Sequence, residues 1–99
     1  MKKPGNLEEL KKNYRPTITR SFFFSEDRSN RFYCRALVFT NRGDTPVFID
    51  GYELAEDETL SIDQFANDLD VTAYQIRFGT LVTTKRLEVK VTYPTSWPE

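Results

Sequence analysis

The residue types needed for the commonest catalytic chemistry are scarce in this 99-residue chain. It contains no histidine, so a Ser–His or Cys–His nucleophile pair cannot form, and the usual zinc spacings are absent. The one cysteine, Cys34, lies in an apolar run, which favours an inert buried thiol and excludes an internal disulfide. None of the four glycines stands in a phosphate-binding spacing. The sequence therefore predicts neither an enzyme nor a cofactor.

Carboxylates are concentrated between residues 44 and 70, where nine Asp or Glu occur without a single Lys or Arg. Carboxylate pairs can perform acid–base work, but pairs in so acidic a block arise from composition alone. The segment 63–70 also offers oxygen ligands for Ca²⁺, yet its spacing matches no EF-hand, and Asp and Asn favour turns by themselves. We expect a solvated loop there, and cation binding stays open.

Opposite charges are segregated along the chain although the net charge is only −1. Residues 1–43 carry ten Lys or Arg against four acids, a net charge of +6, and residues 71–99 come to +2. If this segregation survives in space, one molecule has a positive and a negative pole. The alternative is that strand pairing mixes the blocks.

Three parts are expected along the chain: an arm over residues 1–16, a β-domain over 17–93 and a tail over 94–99. In the arm, Asn6 caps a helix of two turns at most, which is marginal by itself because nucleation is costly. No apolar stretch is long enough to span a bilayer, and the amino end resembles no signal peptide. We therefore expect no membrane partner and a cytoplasmic location.

From Thr17 onward, β-branched and aromatic runs alternate with turn clusters, which predicts an all-β, antiparallel sandwich or partly open barrel of about six to seven strands. The domain is too small to enclose a large active-site cavity. The segments predicted as strands are Thr17–Phe24, Arg31–Thr40, Pro46–Ile49, Tyr52–Ala55, Thr59–Asp63, Tyr74–Phe78 and Arg86–Tyr93. Residues 26–30 are predicted as a turn, and so is Asn41–Asp44. The latter includes the integrin-type tripeptide Arg42-Gly43-Asp44, which we interpret as a turn with Gly43 at positive φ.

The strongest local prediction is a two-residue hairpin at Asp50-Gly51. It places Ile49 opposite Tyr52 and Val47 opposite Leu54, so that these four side chains share one face. Extending the alternation to the other strands gives an expected core of Phe22, Phe24, Phe32, Val38, Val47, Ile49, Leu54, Leu60, Ile62, Ile76, Phe78, Leu87, Val89 and Val91.

The stretches 41–54, 58–63 and 74–78 together resemble a pattern in small β-sandwich proteins of tailed bacteriophages and prophage-like elements. The resemblance covers the central part of the chain and leaves out both ends. It implies a structural component of a virion, such as a decoration, connector or tail-associated subunit, made in the host cytoplasm. It carries over no catalytic residue.

These observations favour a non-enzymatic assembly subunit that contacts proteins, either further copies of itself or other subunits. We expect apolar arm anchors at Leu7, Leu10, Tyr14 and Trp97. The basic arm residues would meet an acidic turn of a neighbour, with the contacts made by Lys11, Lys12, Arg15, Glu56, Asp57 and Glu58.

Two other functions stay open. A single-stranded nucleic-acid binder is suggested by arginines near aromatic residues, and it requires Phe23 and Tyr33 to face solvent as stacking platforms. The acidic block argues against it, because a small dedicated binder is usually net basic. A carbohydrate-recognition sandwich is suggested only by the aromatic residues Trp97 and Tyr52.

Overall fold

The structure is a computed structural model, and it describes residues 17–63, 69–80 and 83–94. All regular structure in these residues is β, in two four-stranded antiparallel sheets, and they contain no helix. The strands are β1 Thr17–Phe24, β2 Arg28–Arg31, β3 Ala36–Asn41, β4 Val47–Ile49, β5 Tyr52–Leu54, β6 Thr59–Asp63, β7 Ala73–Phe78 and β8 Leu87–Pro94.

The first sheet has the order β1-β8-β3-β6 and the second the order β2-β7-β4-β5. The predicted all-β antiparallel class is confirmed, but the described residues hold eight strands instead of six or seven. The strand that sequence reasoning missed is β2, which lies largely within the segment predicted as a turn. It is a short polar edge strand that pairs only with β7, so its sequence has no alternating apolar pattern from which a strand could be predicted.

The predicted strand 31–40 is interrupted, and the interruption reverses its alternation. Phe32 and Cys34 are buried, but Tyr33 takes a positive φ of 53°, and two consecutive residues, Cys34 and Arg35, are buried. The chain passes here from the second sheet to the first, and β3 resumes in the opposite phase. Leu37 and Phe39 are therefore in the core in place of the predicted Val38, which is half-buried on the other face.

The hairpin prediction is confirmed residue by residue. Val47 pairs with Leu54, Phe48 with Glu53 and Ile49 with Tyr52. Positive φ values at both turn residues, 50° at Asp50 and 88° at Gly51, are those of the type I′ turn that matches strand twist.

The core lies between the sheets and contains most of the predicted residues. Leu87, Val89, Val91, Ile76, Val47, Ile49, Leu54 and Phe32 are buried, and Phe24, Leu60, Ile62 and Phe78 pack against them while partly covered. Phe22 was predicted inside but is 37% exposed, because β1 is an edge strand at the open side of the sandwich. Tyr74, which was not predicted, is buried and stacks edge-on against Phe39 at 5.4 Å.

Asn41 joins the two sheets at the end of β3. Its buried amide nitrogen donates to the carbonyls of Thr45 and Leu54 at 2.9 and 3.0 Å, and its side-chain oxygen accepts from the backbone N–H of Gly43. Its own backbone pairs with Glu58 and Asp57. One residue thus connects the first sheet to the loop before β4, to β5 and to the turn before β6.

The 42–44 loop is structural, as predicted, although for a different reason at its glycine. Gly43 is buried, and a Cβ placed there would lie 2.5 Å from the carbonyl oxygen of Thr84 and 2.9 Å from the nitrogen of Arg86. Glycine is required at this position because the backbone of Thr84 and Arg86 lies so close, and not because of a positive φ. The Asp44 carboxylate accepts hydrogen bonds from the hydroxyl and the backbone N–H of Thr83 and from the backbone N–H of Thr84. These hydrogen bonds lower the pKa of Asp44.

Replacing Gly43 by Ala is expected to destabilise the fold far more than replacing Gly51 by Ala. The first change pushes a methyl group into backbone atoms, at a cost of about 3 kcal/mol or more. The second meets no atom within 4 Å and costs about 1 kcal/mol for its positive φ. Thermal unfolding followed by circular dichroism measures both, and similar melting temperatures for the two variants would refute this account.

Candidate functional site

The β1 and β2 edges form an open side of the sandwich. Both strands are edges of their sheets, and a three-residue turn joins them. In the described structure each pairs on one side only, β1 with β8 and β2 with β7. We call this side the β1/β2 edge.

A groove of about 310 Å³ lies along this edge between the two sheets. Register places Ile18, Arg20, Phe22 and Phe24 on the inner face of β1, since they are level with the core residues of β8. On β2 the inward positions are polar, because Arg28 pairs with Ile76 and Asn30 with Tyr74. The groove is lined by Phe22, Phe24, Arg28, Asn30, Arg31, Phe32 and Tyr93. Its walls are thus aromatic and cationic, and none of the lining residues is acidic.

Arginines stack on the aromatic rings of this region. The guanidinium of Arg28 lies 4.8 Å from the ring centre of Phe24, and that of Arg86 lies 4.3 Å from that of Phe23. Phe23 is 50% exposed and Tyr33 is 48% exposed. The two stacked pairs lie on opposite faces of β1, because Phe24 is level with the core residue Leu87 and Phe23 with Glu88 on the outer face. Each face of this strand thus carries an aromatic ring with a guanidinium beside it. Arg35, by contrast, is buried and contributes to neither pair.

A second hollow, of about 400 Å³, lies at the β1–β2 turn and includes Glu26 and Asp27 in its wall. One carboxylate oxygen of Asp27 accepts a hydrogen bond from the backbone N–H of Phe78 at 2.8 Å, so this residue fixes the turn against β7. With two carboxylates in its wall the hollow is less suited to an anionic partner than the groove.

The opposite side of the sandwich is formed by β5 and β6, which are joined by the turn 55–58. The exposed acids of this side, which we call the β5/β6 edge, are Glu53, Glu56, Asp57, Glu58 and Asp63. Glu58 also closes the turn, since its carboxylate accepts from the N–H of Ala55 at 2.8 Å. The segregation seen in the sequence therefore persists: the arginines of β1 and β2 and the acids of β5 and β6 lie on opposite edges.

Only part of the predicted contact set can be placed. Glu56, Asp57 and Glu58 are exposed and adjacent, as an acidic contact surface requires. The remaining predicted contacts lie outside the described residues: Leu7, Leu10, Lys11, Lys12, Tyr14, Arg15 and Trp97. The groove residues Arg28 and Asn30 were missed as inward-facing groups, because the segment was predicted to be a turn.

The buried polar cluster in the described part is structural. Asp70 pairs with Cys34 through the backbone, and its carboxylate accepts from the Tyr74 hydroxyl and, at 2.9 Å, from the Thr72 N–H. Burial by itself would raise the pKa of Asp70, but these donated hydrogen bonds hold it below its usual range. Burial raises the pKa of the Cys34 thiol to about 12, so it carries no nucleophilic thiolate at neutral pH.

The one ion pair among the described residues joins Arg42 Nε to Glu88 Oε1 at 2.8 Å on the outer face of the first sheet. The hydrogen bond from Arg42 lowers the pKa of Glu88. Because the Arg42 side chain is half-exposed, this ion pair contributes little to stability. No group of three or more potential metal ligands occurs in residues 17–63, 69–80 and 83–94. The same ranges contain no helix long and apolar enough to cross a membrane.

Comparison with known proteins gives no relative: no family model, no curated protein and no solved structure matches the chain.

Acid should destabilise the protein in part through Asp70. Because the pKa of Asp70 is lower in the folded than in the unfolded protein, ionised Asp70 stabilises the fold at pH values above the ordinary carboxyl pKa of about 4. This stabilisation is lost as the pH falls through the pKa of Asp70 in the folded protein. Urea unfolding at pH 7 and at about pH 3 should show a smaller acid-induced loss for Asp70→Asn than for the wild type. Tyr74→Phe, which removes one donor, should reduce the loss as well and cost about 1–3 kcal/mol at pH 7. An undiminished acid effect in Asp70→Asn would contradict this assignment.

Proposed function

We propose that this protein is a non-enzymatic assembly subunit that associates with further copies of itself through its open sheet edges. One observation carries the proposal: β1 is an eight-residue edge strand exposed along nearly its whole length, with Ile18, Phe22 and Phe23 in contact with solvent. Unpaired edge strands with apolar side chains are templates for pairing with another chain. A virion or phage-like particle is the setting that the sequence resemblance implies.

The segregation of charge supports the same proposal. Complementary potentials on two sides of one molecule favour contact between unlike sides and suppress contact between like ones. The contacts of Lys11, Lys12 and Arg15 with the acidic turn of a neighbour stay a prediction.

A charge introduced at the exposed edge should abolish association. We expect Ile18→Lys to be a monomer of 11.6 kDa by light scattering behind size exclusion, whereas the wild type elutes as a multiple of that mass at low salt. The lysine removes one of the exposed apolar side chains of β1 and adds a second inward-pointing charge two residues from Arg20, which disfavours pairing with another chain. Thr80→Lys is the control, because Thr80 is exposed and lies in the loop after β7, next to Gly79, whose N–H bonds to the Pro46 carbonyl before β4, outside the edge strands. A wild type that stays monomeric at every salt and protein concentration would overturn the proposal.

A second function, binding of single-stranded nucleic acid, is favoured by one specific observation. It requires Phe23 and Tyr33 to face solvent, and both do, with arginine stacked on Phe23. Bases would stack on these rings while the arginines of the β1/β2 edge meet phosphates.

Fluorescence anisotropy with a labelled dT oligonucleotide at low salt tests this second function. If it holds, Tyr33→Ala should weaken binding by about 1–3 kcal/mol, roughly 5- to 150-fold, since one stacked base is lost. Tyr52→Ala is the control, because Tyr52 is even more exposed, at 58% against 48% for Tyr33, but lies on the β5/β6 edge. Absence of binding by the wild type at low salt would remove this function.

A further inference from the structure

We propose that a second copy of this chain occupies the β1/β2 edge and adds its β5/β6 edge there, head to tail, so that both sheets continue from one copy into the next. This arrangement rests on the self-association proposed above and specifies which surfaces meet and in which register.

Strand direction permits the arrangement without any rearrangement. Each sheet has four strands, and every neighbouring pair is antiparallel. With an even number of strands, the two edges of a sheet run in opposite directions. A second copy in the same orientation therefore presents β6 antiparallel to β1 and β5 antiparallel to β2, and the alternation continues in both sheets.

In the first sheet the rows across the strands bring apolar side chains together. One row runs Leu60, Phe39, Val89, Phe22, so that Leu60 of one copy comes level with Phe22 of the next. Both face the interior, and neither is fully covered within its own copy. The neighbouring row leads from Ile62 to Arg20, whose aliphatic stem can cover Ile62 while its charge stays in water.

In the second sheet the matching row joins an aromatic ring to a cation. It runs Arg28, Ile76, Ile49, Tyr52, which places Tyr52 of one copy level with Arg28 of the next on the interior face. Tyr52 is 58% exposed, and the groove beside Arg28 is aromatic. A tyrosine ring against a guanidinium already stacked on Phe24 extends the same type of contact.

Charge selects this arrangement over a two-fold one. Pairing β1 with β1 of another copy would bring together the arginines of two β1/β2 edges, whereas the β5/β6 edge supplies acids to meet them. Asp63 comes level with Thr19 on the outer face, whereas Arg20 in the neighbouring row faces the interior, so the attraction acts between the two edges as a whole and not through a single residue pair. Like charges meet at the turn end, where the row through Arg77 and Phe48 brings Glu53 of one copy level with Asp27 of the next, and where Glu26 lies near the acidic turn of the neighbour.

Disulfide cross-linking between two single variants tests the register. The row Ser61, Val38, Lys90, Ser21 places Ser61 of one copy opposite Ser21 of the next, at a cross-strand Cα separation of about 4.5–5.5 Å, which a disulfide spans. We would mix ¹⁵N-labelled Ser21→Cys with unlabelled Ser61→Cys, oxidise the mixture and measure intact masses. Cys34 is buried and does not compete. Thr19→Cys with Asp63→Cys, from a parallel row, serves if either first variant fails to fold.

The expected product is a cross-linked dimer with one labelled and one unlabelled chain. Dimers of Ser21→Cys with itself would show β1–β1 pairing and overturn the head-to-tail arrangement. Absence of cross-links from both pairs, with a wild type that is oligomeric by light scattering, would overturn the arrangement alone and leave the proposed function standing. A monomeric wild type would overturn both, and if it binds the dT oligonucleotide, the β1/β2 edge is assigned to nucleic acid.

Discussion

The buried amide of Asn41 is the contact on which the relation between the two sheets depends. It ends β3 in one sheet and binds carbonyls before β4 and at the end of β5 in the other. In an interior of low polarity, leaving two carbonyls without donors costs more free energy than the two hydrogen bonds contribute when they are made. The loop from Arg42 to Thr45 bonds to this amide at Gly43 and Thr45, and it lies so close to the next segment that Gly43 contacts the backbone of Thr84 and Arg86. The hairpin β4–β5 and the turn before β6 are thereby fixed to the first sheet.

On the opposite side of the sandwich the polar contact is at the turn, where Asp27 accepts from the Phe78 N–H, and no buried amide joins the sheets there in the described residues. There, β1 and β2 are held by ring contacts of Phe22 and Phe24 with Phe32, at 6.4 and 6.2 Å, and by the stacking of Arg28. The two sides therefore differ: one is joined by a buried amide and carries acids, and the other is joined by aromatic rings and carries arginines.

Sequence reasoning predicted the parts of this fold whose pattern is local. The hairpin at Asp50-Gly51 and the alternation of β7 follow from turn chemistry and period-two burial, and both agree with the structure. In β8 the predicted inward residues Leu87, Val89 and Val91 are buried, but Glu88 on the other face is buried as well. The inverted core face of β3 could not be predicted, because the change of phase is made by one residue at positive φ, Tyr33, a type that rarely adopts it. Strand β2 was missed because a short polar edge has no periodic signal.

The candidate surface was predictable to a lesser degree. Opposite charges were evident in the sequence, but their place on opposite edges depends on the strand order, which no local pattern determines. Exposure of Phe23 and Tyr33 was foreseen as a condition for stacking. The inward direction of Arg28 was not, since it depends on pairing with Ile76 in β7, far away along the chain.

The bend at residues 32–35 also bears on how this sequence can change over generations. Within a paired strand, the loss or gain of a single residue exchanges every buried side chain with an exposed one downstream, and such a change is rarely survivable. The bend already contains one such exchange, placed between two sheets where backbone pairing is reduced to the bridge from Cys34 to Asp70 and the bond from the Arg35 N–H to the Thr92 carbonyl. Length variation among descendants of this chain should accordingly collect at this corner before it appears inside β3 or β8.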